Sequence, residues 1–192
     1  MLLKMNDTKR AIFDSALKEF SLNGYTSATM DDIATNAGVA KGTLYYHFKS
    51  KEEIFNFIIT EGMNLITQKT VSETERVGDV LSKLRAVCRV QLELVFENKD
   101  FLKVVMSQLW GQELRNLELR EIIKNYIETL ESYLLQAMKE GLIKKGDPNF
   151  MAFAFFGTLC SAAVYELMNN DVKNVELVID QLMDYVLMGI KR

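Results

Sequence analysis

Proline and glycine are scarce in this sequence, which limits the folds that the chain can adopt. Only one proline and ten glycines occur among 192 residues. An all-β protein of this size would need turn residues about every 8 to 12 positions, and the chain does not supply them. Since 48% of the residues are hydrophobic, the chain can still bury a sizeable core. These features predict an all-α protein.

Cysteine and histidine are also scarce, which argues against disulfides, metal sites and hydrolytic active sites. Cys88 and Cys160 lie in apolar helical stretches without the CxxC spacing of zinc sites, and we interpret them as buried, reduced thiols. The single histidine, His47, has no clustered carboxylates near it in sequence, so no catalytic triad can be assembled. We therefore predict no catalytic residues, no metal site and no cofactor, and an enzyme is disfavoured.

Long apolar runs are almost absent as well. The N-terminus has no run suited to a signal peptide, so we expect a cytoplasmic protein. One segment, Pro148 to Tyr165, carries no charge over 18 residues and is long enough for a membrane span. Small and polar residues interrupt this segment and no second span accompanies it. We therefore expect no membrane contact, and favour a helix covered by its own body and by a partner subunit.

Charge is distributed unevenly along the chain. The net charge is -3, which argues against a protein that coats nucleic acid with its whole surface. Residues 1–51, however, carry seven basic and five acidic side chains, whereas the remainder carries 16 and 21. A mildly basic head on an acidic body permits a local site for a polyanion.

Helix start and stop signals divide the N-terminal third of the chain into four helices. Asn6 or its neighbour can cap the first helix, which ends near Gly24. A capping box at Thr29 opens a short second helix, and Gly38 can adopt the positive φ that ends it. A third short helix follows, and a second capping box at Ser50 opens a long fourth helix. Helical spacing of apolar residues predicts five more helices, at about 79–97, 100–110, 114–139, 148–170 and 174–190.

The short third helix of the chain, which begins after Gly38, has an unusual outer face. In the stretch VAKGTLYYHF, residues 39–48, helical phase directs Leu44 into the core and places Gly42, Tyr45 and Tyr46 on the opposite side. Core packing would explain one tyrosine, but hardly a pair beside a lysine and a histidine. Two short helices joined by a glycine-containing turn, the second with such an outer face, have the layout of a helix-turn-helix DNA-binding motif.

The chemistry of this face suits DNA. Gly42 lets the backbone approach closely, Thr43 offers a hydroxyl and a methyl to a base edge, and tyrosine hydroxyls can bond phosphates. Lys49 and Lys51 add positive charge at a helix N-terminus, and Thr29 lies at another. His47 either fills a gap in the packing or bonds a phosphate. The two acidic residues at 31 and 32 oppose DNA, so we expect them to point along or away from it.

The stretch TMDDIATNAGVAKGTLYYHFKSKEEIF, Thr29 to Phe55, closely resembles the DNA-binding head of the tetracycline-repressor (TetR) family of bacterial transcription regulators. The DIA, AGV, KGTLYYHF and KSKEE elements occur in the order of that family. The resemblance covers roughly residues 7 to 66; beyond residue 70 it extends only to helix number and length.

This resemblance implies a three-helix head at 1–50, with the helix-turn-helix at 29–48, and an effector-binding and dimerisation body at 51–192, about nine helices in all. It also implies a homodimer that a small molecule releases from an operator. Residues implied to read bases or adjacent sugars are Lys41, Gly42, Thr43 and Tyr45. Residues implied to hold phosphates are Thr29, Tyr46, His47 and Lys51. The family varies at Ala40 and Lys41, so base specificity is not transferred.

Two sites are predicted in the body from residue pattern. The last two helices of two subunits would form a four-helix interface that places the reading helices about one DNA turn or somewhat more apart, on a palindromic operator. The predicted interface residues are Ala154, Gly157, Thr158, Ser161, Val178, Leu182 and Val186. Six apolar residues either line an effector pocket or simply pack in the core. They are Phe96, Phe101, Met106, Trp110, Tyr126 and Phe153. A glutamate in that pocket, Glu97, Glu113 or Glu166, would favour a cationic effector.

The sequence therefore predicts a dimeric, sequence-specific transcription regulator, most simply a repressor released by a small lipophilic effector. The alternative is a DNA-binding regulator without a small-molecule input, controlled by a protein partner or by oxidation of Cys88.

Overall fold

The computed structural model describes residues 5–109, 117–169 and 174–190, and this part of the chain contains nine α-helices and no strand. The predicted all-α fold is confirmed. The helices are α1 (Asp7–Ser27), α2 (Met30–Asn36), α3 (Lys41–His47), α4 (Lys51–Glu75), α5 (Val80–Glu97), α6 (Lys99–Leu109), α7 (Leu117–Lys139), α8 (Pro148–Asn169) and α9 (Val175–Ile190).

The helix ends in the head follow the capping signals of the sequence. Asn6, Thr29 and Ser50 each accept a hydrogen bond from the backbone N–H three residues further on, at 2.8, 3.1 and 3.1 Å. Gly38 has φ +67° in the turn between α2 and α3. Gly24, with φ +77°, kinks α1 rather than ending it, and one more helical turn follows.

The chain forms two compact units, and each has its own core. The first comprises residues 5–65 together with 98–109 and 117–120, and the second comprises 66–97, 121–169 and 174–190. This division differs from the predicted boundary after Ser50, because the first half of α4 and the whole of α6 belong with the head. Helix α6 packs along α1, and Ser21 Oγ donates a 2.7 Å hydrogen bond to Asp100 Oδ1.

Apolar side chains of α1 to α4 form the core of the first unit. Polar contacts add to it: Ser15 Oγ donates to the carbonyl of Ile33 at 2.9 Å, and the Glu19 carboxylate accepts from Asn23 and Asn36. The Ser15 bond to Ile33 and the Asn36 bond to Glu19 tie α1 to α2. Each fully buried large side chain contributes roughly 1.5 to 3 kcal/mol. These buried side chains include Ile12, Phe13, Phe20, Ile33, Leu44, Phe48, Ile54, Phe55 and Ile58.

Helices α5, α8 and α9 pack on one another in the second unit. A buried polar network lies within it. Tyr126 Oη donates to Gln91 Oε1 at 2.7 Å, and Gln91 Nε2 lies 3.8 Å from Cys160 Sγ. At the surface, Arg85 and Arg89 of α5 both form ion pairs with Glu176 of α9. These contacts hold the start of α9 against α5.

Helix α8 keeps much of its apolar surface exposed. Its segment Pro148–Glu166 is long and apolar enough to cross a membrane by length and composition, and 28% of its most apolar window is buried. The exposed side includes large side chains such as Phe150 and Met168, which are 71% and 79% exposed.

Candidate nucleic-acid interface

Helix α3 presents the predicted reading face to solvent. Leu44 is fully buried, whereas Tyr45 and Tyr46 are 39% and 78% exposed. Lys41 and Gly42 are exposed at the start of the helix, and a Cβ built at Gly42 would meet no atom within 4 Å. No neighbour within the first unit therefore requires a glycine here. The open space in front of Gly42 suits the close approach of another molecule.

Lys41 has a partner that the sequence analysis did not predict. Its ammonium group lies 2.7 and 2.8 Å from the two carboxylate oxygens of Asp31 on α2. Both side chains are exposed, and this hydrogen bond and the carboxylate charge raise the pKa of Lys41. Asp31 thus points across the turn towards the reading helix. A DNA contact by the Lys41 ammonium group would require it to leave this carboxylate.

The hydroxyl of Thr29 is fully used by the helix cap. It accepts a hydrogen bond from the Asp32 N–H and donates one of 2.5 Å to the Asp32 carboxylate. Asp32 is therefore occupied in the cap, as the capping box at Thr29 predicts. A phosphate contact by the Thr29 side chain would require its hydroxyl proton to leave Asp32.

His47 and Lys49 lie at the end of α3. The His47 side chain is half-buried, and its ring meets the ring of Tyr46 edge to face, with the centroids 5.2 Å apart. Lys49 is exposed, and its ammonium donates a 2.9 Å hydrogen bond to the carbonyl of Tyr45. Its backbone N–H donates to Glu53 Oε2 at 2.6 Å, which fixes the entry into α4. Both residues lie close to the exposed tyrosines.

Lys51 departs from the predicted role. Its ammonium donates to three backbone carbonyls, of Tyr25 at 2.6 Å, Thr26 at 3.0 Å and Ala28 at 2.8 Å. In the DNA-free protein it is therefore engaged inside the head rather than presented to a phosphate.

The residues predicted to line an effector pocket do not share one unit. Phe101 and Met106 belong to the first unit and are half-buried; Phe96 and Tyr126 belong to the second, where Tyr126 is fully buried. Phe153 is 51% exposed on α8, so the protomer does not enclose its side chain and its place in a pocket stays a prediction. Trp110 lies outside the described residues.

Two buried oxygen atoms of the second unit have no hydrogen-bond partner in the described part of the chain. They are Thr70 Oγ1 and Glu166 Oε2. Of the three glutamates considered for an effector pocket, Glu166 is buried, Glu97 is exposed and pairs with Lys69, and Glu113 lies outside the described residues. Buried polar atoms are normally satisfied, so a water molecule or a bound polar group would complete the hydrogen bonding of these two.

The predicted dimer residues fall into two groups. The four on α8, Ala154, Gly157, Thr158 and Ser161, are all exposed in the protomer. Val178 and Leu182 on α9 are each only 5% exposed, so in the protomer they pack within the second unit, and their interface role stays a prediction. Val186 is half-buried. The outward apolar residues of α9 are instead Leu177 and Tyr185.

Sequence reasoning missed contacts that join residues far apart in the chain. The Lys41 and Asp31 pair had only a weak signal, since the two opposite charges lie ten residues apart, at the starts of consecutive short helices. The carbonyls that hold Lys51 have no side-chain signature at all. Among the described residues, no cluster of His, Cys, Asp and Glu side chains could hold a metal ion.

Comparison with known families agrees with this geometry. A model of the family described as "Bacterial regulatory proteins, tetR family" matches residues 12–57, which span α1 to the first turns of α4. The match therefore covers the helix-turn-helix and the helices on both sides of it.

Solved structures of similar proteins extend the likeness through the body. A proposed fatty acid metabolism regulator of Clostridium perfringens is 44% identical, with a TM-score of 0.84 over 95% of this chain and 99% of its own. The transcriptional regulator FadR from Bacillus subtilis, in complex with stearoyl-CoA, is 27% identical, with a TM-score of 0.83 over 94% and 98%. AibR in complex with isovaleryl coenzyme A and operator DNA is 28% identical, with a TM-score of 0.76 over 92% and 96%.

Proposed function

The chain belongs to the TetR family of bacterial regulatory proteins, and from this premise we propose that it is a homodimeric repressor that an acyl-coenzyme A releases from a palindromic operator. Ligand-responsive, DNA-binding transcription regulation is the function of the family members that it matches. The proposal includes five further points: repression, the class of effector, the dimer contacts, a cytoplasmic location and the absence of enzymatic activity.

The single observation that carries the effector class is the likeness of the whole body to two acyl-CoA complexes. FadR holds stearoyl-CoA and AibR holds isovaleryl coenzyme A, and each covers more than 90% of this chain at 27% and 28% identity. One ligand has a long straight acyl chain and the other a short branched one. The common part is the coenzyme A thioester, so this is the part that we transfer to the present protein.

The two unpartnered buried oxygens support a thioester of coenzyme A over a free fatty acid. A carboxylate such as that of Glu166 can only accept hydrogen bonds, and the hydroxyl of Thr70 can donate or accept. The pantetheine arm carries amide N–H groups, carbonyls and a hydroxyl that could satisfy both atoms. A free fatty acid offers only its carboxylate, which could accept from the Thr70 hydroxyl but could not donate to the Glu166 carboxylate. A lipophilic cation that pairs with Glu166 is the second candidate.

The exposed apolar surface of α8 and α9 supports a dimer through these helices. Tyr165, Leu177 and Tyr185 are 55%, 49% and 74% exposed, and small residues of α8 lie among the exposed positions and allow close approach of a second helix. A partner subunit would bury this surface without a membrane. Sedimentation at micromolar concentration tests this part, and a monomer would contradict it.

The effector experiment begins with an operator selected from randomised DNA. Operator affinity is then measured by fluorescence anisotropy against a series of acyl-CoAs of increasing chain length. We expect the best acyl-CoA to weaken operator binding by about 5- to 150-fold, the range of typical allosteric coupling. Free coenzyme A, the matching free fatty acid and a lipophilic quaternary ammonium compound are the matched controls. A response to the cation alone would favour the second candidate.

The alternative of thiol control is disfavoured by the chemistry of the two cysteines. Burial raises the pKa of the Cys88 thiol to about 12 and that of Cys160 to about 11. The thiolate is the reactive form, so both groups stay protonated and unreactive at neutral pH. Operator binding that survives hydrogen peroxide would agree with this, whereas loss that a reductant reverses would favour thiol control. If no acyl-CoA, cation or oxidant changes operator affinity, control by a protein partner becomes the better proposal.

A further inference from the structure

The ammonium group of Lys51 already makes three hydrogen bonds within the first unit, so it has no free donor for a phosphate. An ammonium group has three N–H donors and no acceptor. In this structure it faces three carbonyl oxygens within 3.0 Å, those of Tyr25, Thr26 and Ala28. It also lies 4.7 Å from the centre of the Tyr25 ring, a cation–π distance. The donors are fully used before DNA arrives.

The three carbonyls belong to the end of α1 and to its cap. The last carbonyls of a helix have no partner within the helix, and together they carry a partial negative charge. Here the final turn follows the positive φ of Gly24 and ends at Ala28. A lysine is the natural group to satisfy several such carbonyls at once. If Lys51 turned to a phosphate, it would leave these carbonyls without their donor.

The position of this contact matters for DNA binding. Lys51 is the first residue of α4, and Ala28 directly precedes Thr29, the cap of α2. The contact therefore joins the start of the helix-turn-helix to the start of the helix that continues into the second unit. We propose that Lys51 is a positioning residue that fixes the reading helix relative to α4, and that it is not a phosphate ligand. This inference rests on the dimeric operator binding proposed above.

Two substitutions separate the two roles. Lys51→Met removes both the charge and the donors, whereas Lys51→Arg keeps the charge. A planar guanidinium cannot place its donors as an ammonium does towards three convergent carbonyls, but it binds phosphate well. A phosphate ligand would therefore tolerate arginine, and a positioning lysine would not.

Operator affinity of both variants is measured over a range of salt concentrations, on the selected operator and on versions with half-sites moved by one base pair. We expect both variants to bind the selected operator about tenfold more weakly or worse, with an unchanged dependence on salt. We also expect them to discriminate less between spacings, because the reading helices are held less firmly. A lost phosphate contact would instead make the slope of log affinity against log salt less steep, that is less negative, by about 0.9.

Ile54→Val is the matched control for stability, since Ile54 is fully buried in the same part of α4 and the change only removes a methylene group. This variant should keep the wild-type spacing preference. Wild-type behaviour of Lys51→Arg, or a reduced salt slope for Lys51→Met, would overturn the inference while leaving the proposed function intact. Failure of the wild type to bind any selected DNA would instead overturn the proposed function.

A measurement on the wild-type protein covers the case in which neither variant folds. In a nitrogen-15 spectrum of lysine ammonium groups, a group held by three carbonyls should give a resolved, slowly exchanging signal. Signals are assigned from lysine-to-arginine variants at the other positions. The inference predicts that the Lys51 signal keeps its position when operator DNA is added. A large shift on addition of DNA would show that the lysine has exchanged its carbonyls for a phosphate.

Discussion

Phe101 of α6 lies against the backbone of α4 at Gly62. A Cβ built at Gly62 would overlap two ring carbons of Phe101. The absence of a side chain at Gly62 is therefore what allows α6 to pack on α4 within the first unit. Together with the Ser21 and Asp100 hydrogen bond, this contact holds α6 to the head.

Gly62→Ala should destabilise the protein although alanine is the better helix former. The added methyl must displace the Phe101 ring, and overpacking of this kind costs about 1 to 3 kcal/mol, which exceeds the gain of up to about 1 kcal/mol in helix propensity. Urea unfolding measures the difference. Phe101→Leu in the same chain should recover part of the loss, and additive effects of the two changes would contradict the contact.

Gly42→Ala should weaken operator binding without destabilising the protein. A Cβ at Gly42 meets nothing in the free protein, so stability should be unchanged or slightly raised. The same methyl group would stand between α3 and the duplex, and we expect operator affinity to fall by about tenfold or more, equivalent to about 1.4 kcal/mol. Unfolding and anisotropy are measured on one preparation. Unaltered operator affinity would show that the backbone does not approach DNA at this position.

Asp31→Asn should tighten DNA binding. The substitution frees Lys41 from its ion pair, which is solvent-exposed and therefore contributes little to stability. We therefore expect operator and random DNA to bind up to about fivefold more tightly, with a steeper salt dependence and only a small loss of stability. Asp14→Asn removes the same charge from α1 without freeing Lys41, so its effect should be smaller. Equal effects of the two changes would show that only total charge matters.

The buried thiols should make the protein sensitive to alkali. The pKa values of Cys88 and Cys160 are raised from 9.0 to about 12 and about 11. The folded state therefore keeps protons that the unfolded chain releases, and this stabilisation is complete below pH 9 and lost as the pH rises through the folded values. Each thiol should lower the unfolding free energy by about 1.4 kcal/mol per pH unit above pH 9, until its folded pKa is reached.

Thermal unfolding between pH 8 and about pH 11 checks this expectation. The Cys88→Ala and Cys160→Ala double variant is less stable at neutral pH because it loses packing, but its stability should fall less steeply with pH. A thiol reagent at neutral pH should react with neither group until denaturant is added. Rapid reaction in the native protein would contradict the burial of both residues.

Local patterns in the sequence were sufficient to predict most helix ends and to predict which side chains of α3 are buried or exposed. The caps at Asn6, Thr29 and Ser50 each join residues three positions apart, and helical phase placed Leu44 inside and Tyr46 outside. Such interactions depend on neighbours within a turn or two, which the sequence displays directly. The all-α fold, and the family resemblance carried by residues 29–55, followed from the same short-range features.

Tertiary structure alone decided which distant groups meet. Lys51 was predicted to face phosphate because it is charged and opens a helix, yet chain folding brings it to carbonyls more than twenty residues away. Val178 and Leu182 have the spacing of an interface but face their own unit, and α6 joins the head through Phe101. Helical periodicity shows that a residue lies on an apolar face, but not which neighbour covers that face. That choice depends on the packing of helices remote in sequence, and only the folded chain determines it.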